Sequence, residues 1–329
     1  MALTLVTGST GRIGKHMVAS LIASGKRVRA LTRTAGSRKL PGVEMYLGDM
    51  RDAGSVKGVM RDVETVYHLA ANVDFTSNWK DMYAANVTGT KNLIDLALES
   101  EVKRFVFASS IAAMGKKLSH IPADESEPCR PGDPYGKSKL EAEQLLLKAH
   151  EENGLPVSIV RPAMVYGRDF FEGYLYVMSG LESGKMPILG SGQNHIHFVH
   201  VSDLIQGLRL AADKKKAVGE VYIIADQEAK TQEWLLNTTA AALGVEPPKR
   251  HMPVALVKTL TFFHEKKAGL MKVKPKVVRE HIDQLAMDRA FSIDKARKEL
   301  GYEPKIDIGS GIREMVLWYK SMKRQKESS

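Results

Sequence analysis

A tyrosine and a lysine four residues apart, Tyr135 and Lys139 in "DPYGKSKLEAEQLLLKA", are the residues of this chain best suited to moving a proton. Leu140, Ala142, Leu145 and Leu146 recur at helical spacing behind them, and on a helix positions four apart share a face. An ammonium beside a phenol favours the phenolate and draws tyrosine down from its usual value of about 10. Such a tyrosine gives a proton to a carbonyl oxygen or takes one from an alcohol. The same spacing also occurs on ordinary exposed helices, so it needs company. Two hydroxyls, Ser109 and Ser110, end the apolar run "RFVFASS", Ser110 lying 25 residues before Tyr135. A hydroxyl there donates to the same carbonyl oxygen and positions it.

The second candidate group is at the N-terminus. "LTLVTGSTGRIGKHMVASLIASGKRVRALTRT" reads as strand, glycine turn, helix and strand, a βαβ unit. Gly8, Gly11 and Gly14 let the chain turn sharply and bring backbone N–H groups to a pyrophosphate. The helix start adds orphan donors and a positive dipole end. A tight structural turn needs such glycines too; their place between a strand and an amphipathic helix favours the dinucleotide. A binder of NAD carries an acid about 20 residues on, for the ribose 2′-hydroxyl. Here Arg33 stands 19 residues after Gly14, with no acid beside it in sequence. A guanidinium binds a 2′-phosphate, so the cofactor expected is NADP(H), with Arg12, Arg38 and Lys39 able to assist.

Elements that would position these groups follow along the chain. "VEMYLGDMRD", "VETVYHLAA", "KRFVFASS" and "SIVRPAMVYG" read as strands, and "MYAANVTGTKNLIDLALES" as a helix. Strands alternating with helices predict an α/β fold with a Rossmann-type doubly wound parallel sheet, whose ligands bind at the carboxyl ends of the strands. The expected division is an NADP-binding domain over 1–167 with a returning strand near 220–226. A smaller, mostly helical substrate domain then covers 168–329.

The 329 residues are 43% hydrophobic, ordinary for a globular protein with a sizeable core. No run of 18 apolar residues predicts a transmembrane helix, and no signal peptide is recognisable, so membrane insertion is not expected. Cys129 is the single cysteine, which fits a reducing cytoplasm. The net charge is +10, and residues 249–281 hold nine Lys/Arg against Glu265 and Glu280. No zinc-ligand cysteines or aromatic–basic repeat accompany them, so a solvated helical surface is expected rather than a nucleic-acid interface. His195, His197 and His200 have no carboxylate cluster and are read as packing or polar residues, with no metal.

TGSTGRIG, GDMRD, HLAA, NVTGT, FVFASSIAAMG, YGKSK, RPAMVYG and FVHVSDL occur in this order over roughly the first 230 residues. Together they resemble the extended short-chain dehydrogenases/reductases, the NAD-dependent epimerase/dehydratase family. The resemblance implies Tyr135 as general acid/base and Lys139 on the nicotinamide ribose. It implies Ser110, five residues before Gly115, as the orienting hydroxyl, and Asn86 in a structural or relay role. Gly8, Thr10, Gly11, Arg12, Ile13 and Gly14 would hold the diphosphate. Asp49 and Met50 would flank the adenine, Ala70 and Ala71 would lie along the cofactor, and Pro162 and Val165 would lie against the nicotinamide.

Within that family the chain departs from the sugar-nucleotide pattern. Apolar residues follow Ser110 where dehydratases carry an Asp-Glu pair, Met114 replaces a family tyrosine, and Ile196 and His197 replace an Arg-Asp pair. "NVDFTSNWKDMYAANV" and "AMDRAFSIDKARKELGYEP" resemble the 3β-hydroxysteroid dehydrogenase and dihydroflavonol 4-reductase branch. The expected activity is NADP(H)-dependent interconversion of a ketone and a secondary alcohol on a largely apolar small molecule. Phe75, Trp79, Met114, Met164, Tyr166, Phe170, Phe171 and Tyr174 are candidates for its pocket, or for interdomain core. A nucleotide-sugar epimerase with tightly held NAD(P) and a non-catalytic NADP-binding regulator are the alternatives. A homodimer is compatible with each.

Overall fold

The computed structural model describes residues 2–34, 42–170, 172–271, 273, 275 and 277–327. Arg38, Lys39 and Phe171 lie outside them. Seven strands form one parallel sheet: β1 (Leu3–Thr7), β2 (Arg27–Thr32), β3 (Val43–Leu47), β4 (Val63–His68), β5 (Arg104–Ala108), β6 (Val157–Pro162) and β7 (Glu220–Ile224). Their order is β7-β6-β5-β4-β1-β2-β3. Strand order reverses between β1 and β4, and a crevice opens beyond their carboxyl ends.

Helices cover both faces, with α1 (Arg12–Ala23) on one and α2 (Gly89–Glu99) and α3 (Pro134–Asn153) on the other; α4 (Glu172–Glu182) packs away from the sheet, and α5 (Val201–Asp213) joins α1. The later chain is mostly helical, with α6 (Gln232–Leu243), α7 (Val254–Leu270), α8 (Arg279–Ala286), α9 (Asp294–Leu300) and α10 (Ile308–Glu327). Alternation along a strand explains the two cores. Val6 points to the side of Met17, Val18 and Leu208, while Leu5 points to the side of Leu93, Ile94 and Leu146. A third cluster joins Phe198, Leu235, Leu236, Ile312 and Met315 away from the sheet. No helix among the described residues is long and apolar enough to cross a membrane.

Two predicted elements divide. The strand expected over "SIVRPAMVYG" stops at Pro162, which has no N–H to continue a ladder. Met164–Tyr166 pairs instead with Phe198–His200. The helix expected over "MYAANVTGTKNLIDLALES" opens into a π-turn at Ala84–Thr88 before α2. The wider turn accompanies Asn86, whose side chain is bonded to the main chain of Asn72. Such turns collect at functional sites.

Candidate functional site

The glycine turn leaves β1 at the point where strand order reverses. Gly8 has a φ of +64°, which side chains rarely adopt. A Cβ on Gly14 would sit 2.0 Å from the Gly8 carbonyl oxygen, so only glycine lets α1 approach the turn. Gly11 caps α1 with no side-chain hydrogen bond, and the first turn carries no acid. That leaves an uncapped, positive helix end, with Thr10, Arg12 and Ile13 beside it, suited to an anionic diphosphate. Ala70 closes the other side, since a Cβ on Gly8 would meet its backbone at 2.8 Å.

Arg33 is exposed just beyond β2. The structure corrects the expectation that no acid lies near it. Asp49, beyond the neighbouring strand β3, is close enough for Arg33 to help lower its carboxyl. The main cause of that lowering is the Arg51 guanidinium, which grips Asp49 with its Nε at 2.9 Å and its Nη2 at 2.6 Å. Arg51 thus pairs with Asp49, and Arg33 lies within electrostatic reach of the same carboxylate. Met50 is buried against Gly89. Pro162 is buried at the end of β6, and half-buried Val165 pairs with Val199.

The hydroxyls ending β5 diverge. Ser109 is buried and donates to Glu143, whose carboxylate is held by Arg161 Nε at 3.0 Å and Nη2 at 2.6 Å. Ser110 caps the short turn Ile111–Met114, accepting from the Ala112 N–H at 3.1 Å, and its hydroxyl lies close enough to Tyr135 to act on the phenol. Asp133 starts α3 by accepting from Gly136 N–H at 2.9 Å. Burial pushes the Tyr135 phenol up to about 12, the neighbouring Ser110 hydroxyl pulls it back, and the Asp133 carboxylate raises it. The expected lowering by Lys139 is not found. Lys139 Nζ donates to the Ala108 carbonyl at 2.6 Å and lies 4.2 Å over the Phe107 ring, so its charge is engaged beneath the strand end. Burial pushes this ammonium down to about 7, and Glu143 raises it.

A chain of hydrogen bonds connects the two halves of the site. Thr7 Oγ1 accepts from the N–H groups of Leu69 and Ala70, each at 3.1 Å. Thr90 donates to the Asn86 carbonyl at 2.6 Å, so its oxygen accepts from His68 Nε2 at 2.9 Å. His68 Nδ1 then accepts from the Thr7 hydroxyl at 2.7 Å. Burial pushes this imidazole down to about 3, which keeps it neutral. Asn86 Nδ2 donates to Ser138, and Ser138 donates to the Tyr135 carbonyl at 2.8 Å. Asn86 therefore positions the turn around Tyr135.

A cavity of about 490 Å³ is lined by Phe75, whose ring meets Tyr135 edge-on at 5.9 Å. Its other walls are unlike the expected apolar pocket. Lys116 bridges Glu280 at 2.6 Å and Asp283 at 2.8 Å, Lys258 bonds Asp283, and Arg279 bonds Glu265. Of the eight aromatic and methionine candidates, Phe75 lines this cavity. Met114 and Tyr166 are buried in core, Tyr174 bonds Thr239 elsewhere, and Trp79 packs on Tyr83. The charged lining comes from positions 116 and 258–283, too far apart for local sequence signals to join. Arg289 was likewise missed: its Nη2 holds the Ile111 carbonyl at 2.8 Å beside Ser110. His197 is fixed by Asp226 and Phe291, and His200 caps α5.

A glycine turn at the crossover of a parallel sheet, with Ser110 at the end of β5 and Tyr135 and Lys139 at the start of α3, is the layout of a Rossmann-like α/β fold. The chain belongs to the NAD dependent epimerase/dehydratase family, whose profile matches residues 4–225. It is 30% identical to a dTDP-glucose 4,6-dehydratase of Actinoplanes over 344 residues, covering 96% of this chain and 97% of that one. It is 27% identical to a 3-beta-hydroxysteroid dehydrogenase of Mycolicibacterium neoaurum, covering 97% and 91%. The crystal structure of gox2253 superimposes with a TM-score of 0.80 at 30% identity, covering 98% and 99%.

Proposed function

We propose that this chain is an NADP(H)-dependent oxidoreductase that interconverts a ketone and a secondary alcohol, with Tyr135 as general acid/base. The observation that carries the reading is Tyr135 set edge-on against Phe75 of the cavity wall, with Ser110 near its phenol and followed by a turn, Ile111–Met114, with no ionisable group. Two hydroxyls suit one carbonyl oxygen; elimination of water from a sugar would ask for a further acid and base there. The steroid dehydrogenase relative supports the same chemistry, and the dehydratase relative makes the sugar reading its competitor. We assign residues 1–167 to the cofactor and 168–329 mainly to the substrate. Because the charges lining the cavity are already paired with one another, a substrate without net charge is favoured there.

The glycine turn and uncapped helix fit a diphosphate, and the exposed Arg33 just beyond β2 supports the reading of a 2′-phosphate. When bound, the nicotinamide supplies or receives the hydride. Ser110 orients the carbonyl oxygen, and Tyr135 delivers its proton as negative charge grows there. Lys139 holds its ammonium beneath the strand end, available to a ribose hydroxyl.

Two measurements test this. A panel of ketones and alcohols should change nicotinamide absorbance; a purified protein with permanently held cofactor and no net absorbance change would establish the epimerase instead. A protein that binds NADP(H) and turns over no member of the panel would favour the regulator. The pH profile follows from the raised phenol. Tyr135 is protonated throughout the neutral range, so reduction should hold there, and oxidation should climb toward about pH 12 as phenolate forms. Oxidation with a flat kcat/KM from pH 7 to 10 would exclude Tyr135 as the base.

Arg33 carries the cofactor preference. A charge-assisted, bidentate contact contributes about 1.5–3 kcal/mol, or roughly 10- to 150-fold in affinity for NADP(H) over NAD(H). Arg33→Ala should remove that margin and leave NAD(H) binding almost unchanged, and salt should narrow it in the wild type. Titration of both cofactors checks this; equal losses for both would show that Arg33 does not read the phosphate.

A further inference from the structure

Helix α7 turns an apolar face to solvent. Leu256, Leu260, Phe263 and Leu270 are 47%, 55%, 64% and 86% exposed. Their spacing of four, three and seven residues sets them along one stripe of a 3.6-residue helix. Exposed Met271 and Val273 extend the apolar surface beyond the helix end. The opposite side of α7 carries buried Thr261 and Ala268, and the helix packs on α8. Lys266 and Lys267 are exposed on the same helix, within the segment 249–281 whose nine Lys/Arg outweigh two Glu.

Large apolar side chains gathered on one exposed stripe mark a surface that is covered in use. A second copy laid face to face would bring two such basic segments together, and like charges oppose that. The partner must be anionic and must accept leucine and phenylalanine side chains without a shaped socket. A bilayer with acidic headgroups offers both: hydrocarbon for the stripe and negative charge for the lysines, whose stems reach back to the interface.

We propose that α7 docks this protein on an anionic phospholipid surface, lying in the interface and not crossing it. Lys258 and Glu265, on the inward side of the same helix, line the cavity beside Tyr135. One helix thickness, about 10 Å, therefore separates lipid from the cavity. Docking rests on the exposed stripe and its charge and stands whatever the substrate is.

The test is sedimentation of the full chain with vesicles of phosphatidylcholine alone or mixed with phosphatidylglycerol. The wild type should partition at least about tenfold better onto the mixed vesicles at low salt, and lose that advantage at high salt. L260E/F263E should reduce binding at least about tenfold, and K266E/K267E by about fivefold per lysine. Circular dichroism and cofactor titration of both variants should match the wild type, since these side chains are exposed. Failure of the wild type to bind mixed vesicles at low salt would overturn the proposal. So would equal binding to both vesicle types, or binding untouched by L260E/F263E. A wild-type dimer that this variant makes monomeric, without vesicle binding, would assign the stripe to a second copy.

Discussion

Tyr135→Phe is expected to lower kcat by about 10²- to 10⁴-fold, the usual contribution of a positioned proton donor. The phenol lies near the Ser110 hydroxyl with Phe75 flanking its ring, and the substitution removes one oxygen from that arrangement. The ring, and hence its edge contact with Phe75, remains. Cofactor affinity should persist, because the glycine turn and Arg33 are on other strand ends. Steady-state kinetics and cofactor titration on the same preparation separate the two effects. A folded variant with near-normal turnover would end the assignment of Tyr135 as acid/base. Parallel losses of turnover and cofactor affinity would mark Tyr135 as a scaffold for the nucleotide rather than a proton donor.

Arg161→Met should destabilise the fold by about 3–5 kcal/mol, the typical cost of leaving one member of a buried ion pair alone. Arg161 and Glu143 are both buried and joined by two hydrogen bonds, and Ser109 completes the cluster. The pair ties β6 to α3, the helix that carries Tyr135 and Lys139. Methionine preserves much of the side-chain length, so the loss comes chiefly from the stranded carboxylate. Adding Glu143→Leu should recover a large part of it, since neighbouring sites in one network are not additive. Urea unfolding of the single and double variants measures both. A single variant within 1 kcal/mol of the wild type, taking ~1 as the ordinary effect of a substitution, would show that the pair is not strongly coupled to folding.

The sheet was legible because each of its strands is a short apolar run closed by a turn signal, and the runs alternate with helical periodicity. Gly8 and Gly14 were legible for a different reason: the first has a backbone, and the second a close approach, that side chains do not suit. What escaped is set by side chains meeting at long range. Pro162 breaks a run that hydrophobicity alone carries through to Tyr166, and the π-turn depends on Asn86 reaching Asn72. The charged cavity walls bring Lys116 to Glu280 and Asp283 across about half the chain, which no spacing records. Asp49 escaped as a neighbour of Arg33 because sequence distance hides adjacency between parallel strands; β2 and β3 lie side by side with Thr32 opposite Leu47. The aromatics of the later chain stayed open between pocket and core because both make the same demand on composition; Tyr166 belongs to the core.

The hydrogen-bond chain from Ala70 to Tyr135 has a further consequence. It runs through Thr7, His68, Thr90, Asn86 and Ser138, and each hydroxyl and ring nitrogen in it has a single proton assignment. No member can reverse its polarity without breaking its neighbour's bond. The glycine turn and the start of α3 are therefore held in register by a one-way sequence of donors and acceptors, completed when the chain folds. The entropy of aligning two distant loops is lost at folding, before any ligand arrives, so less of it remains to be lost in forming the reactive geometry.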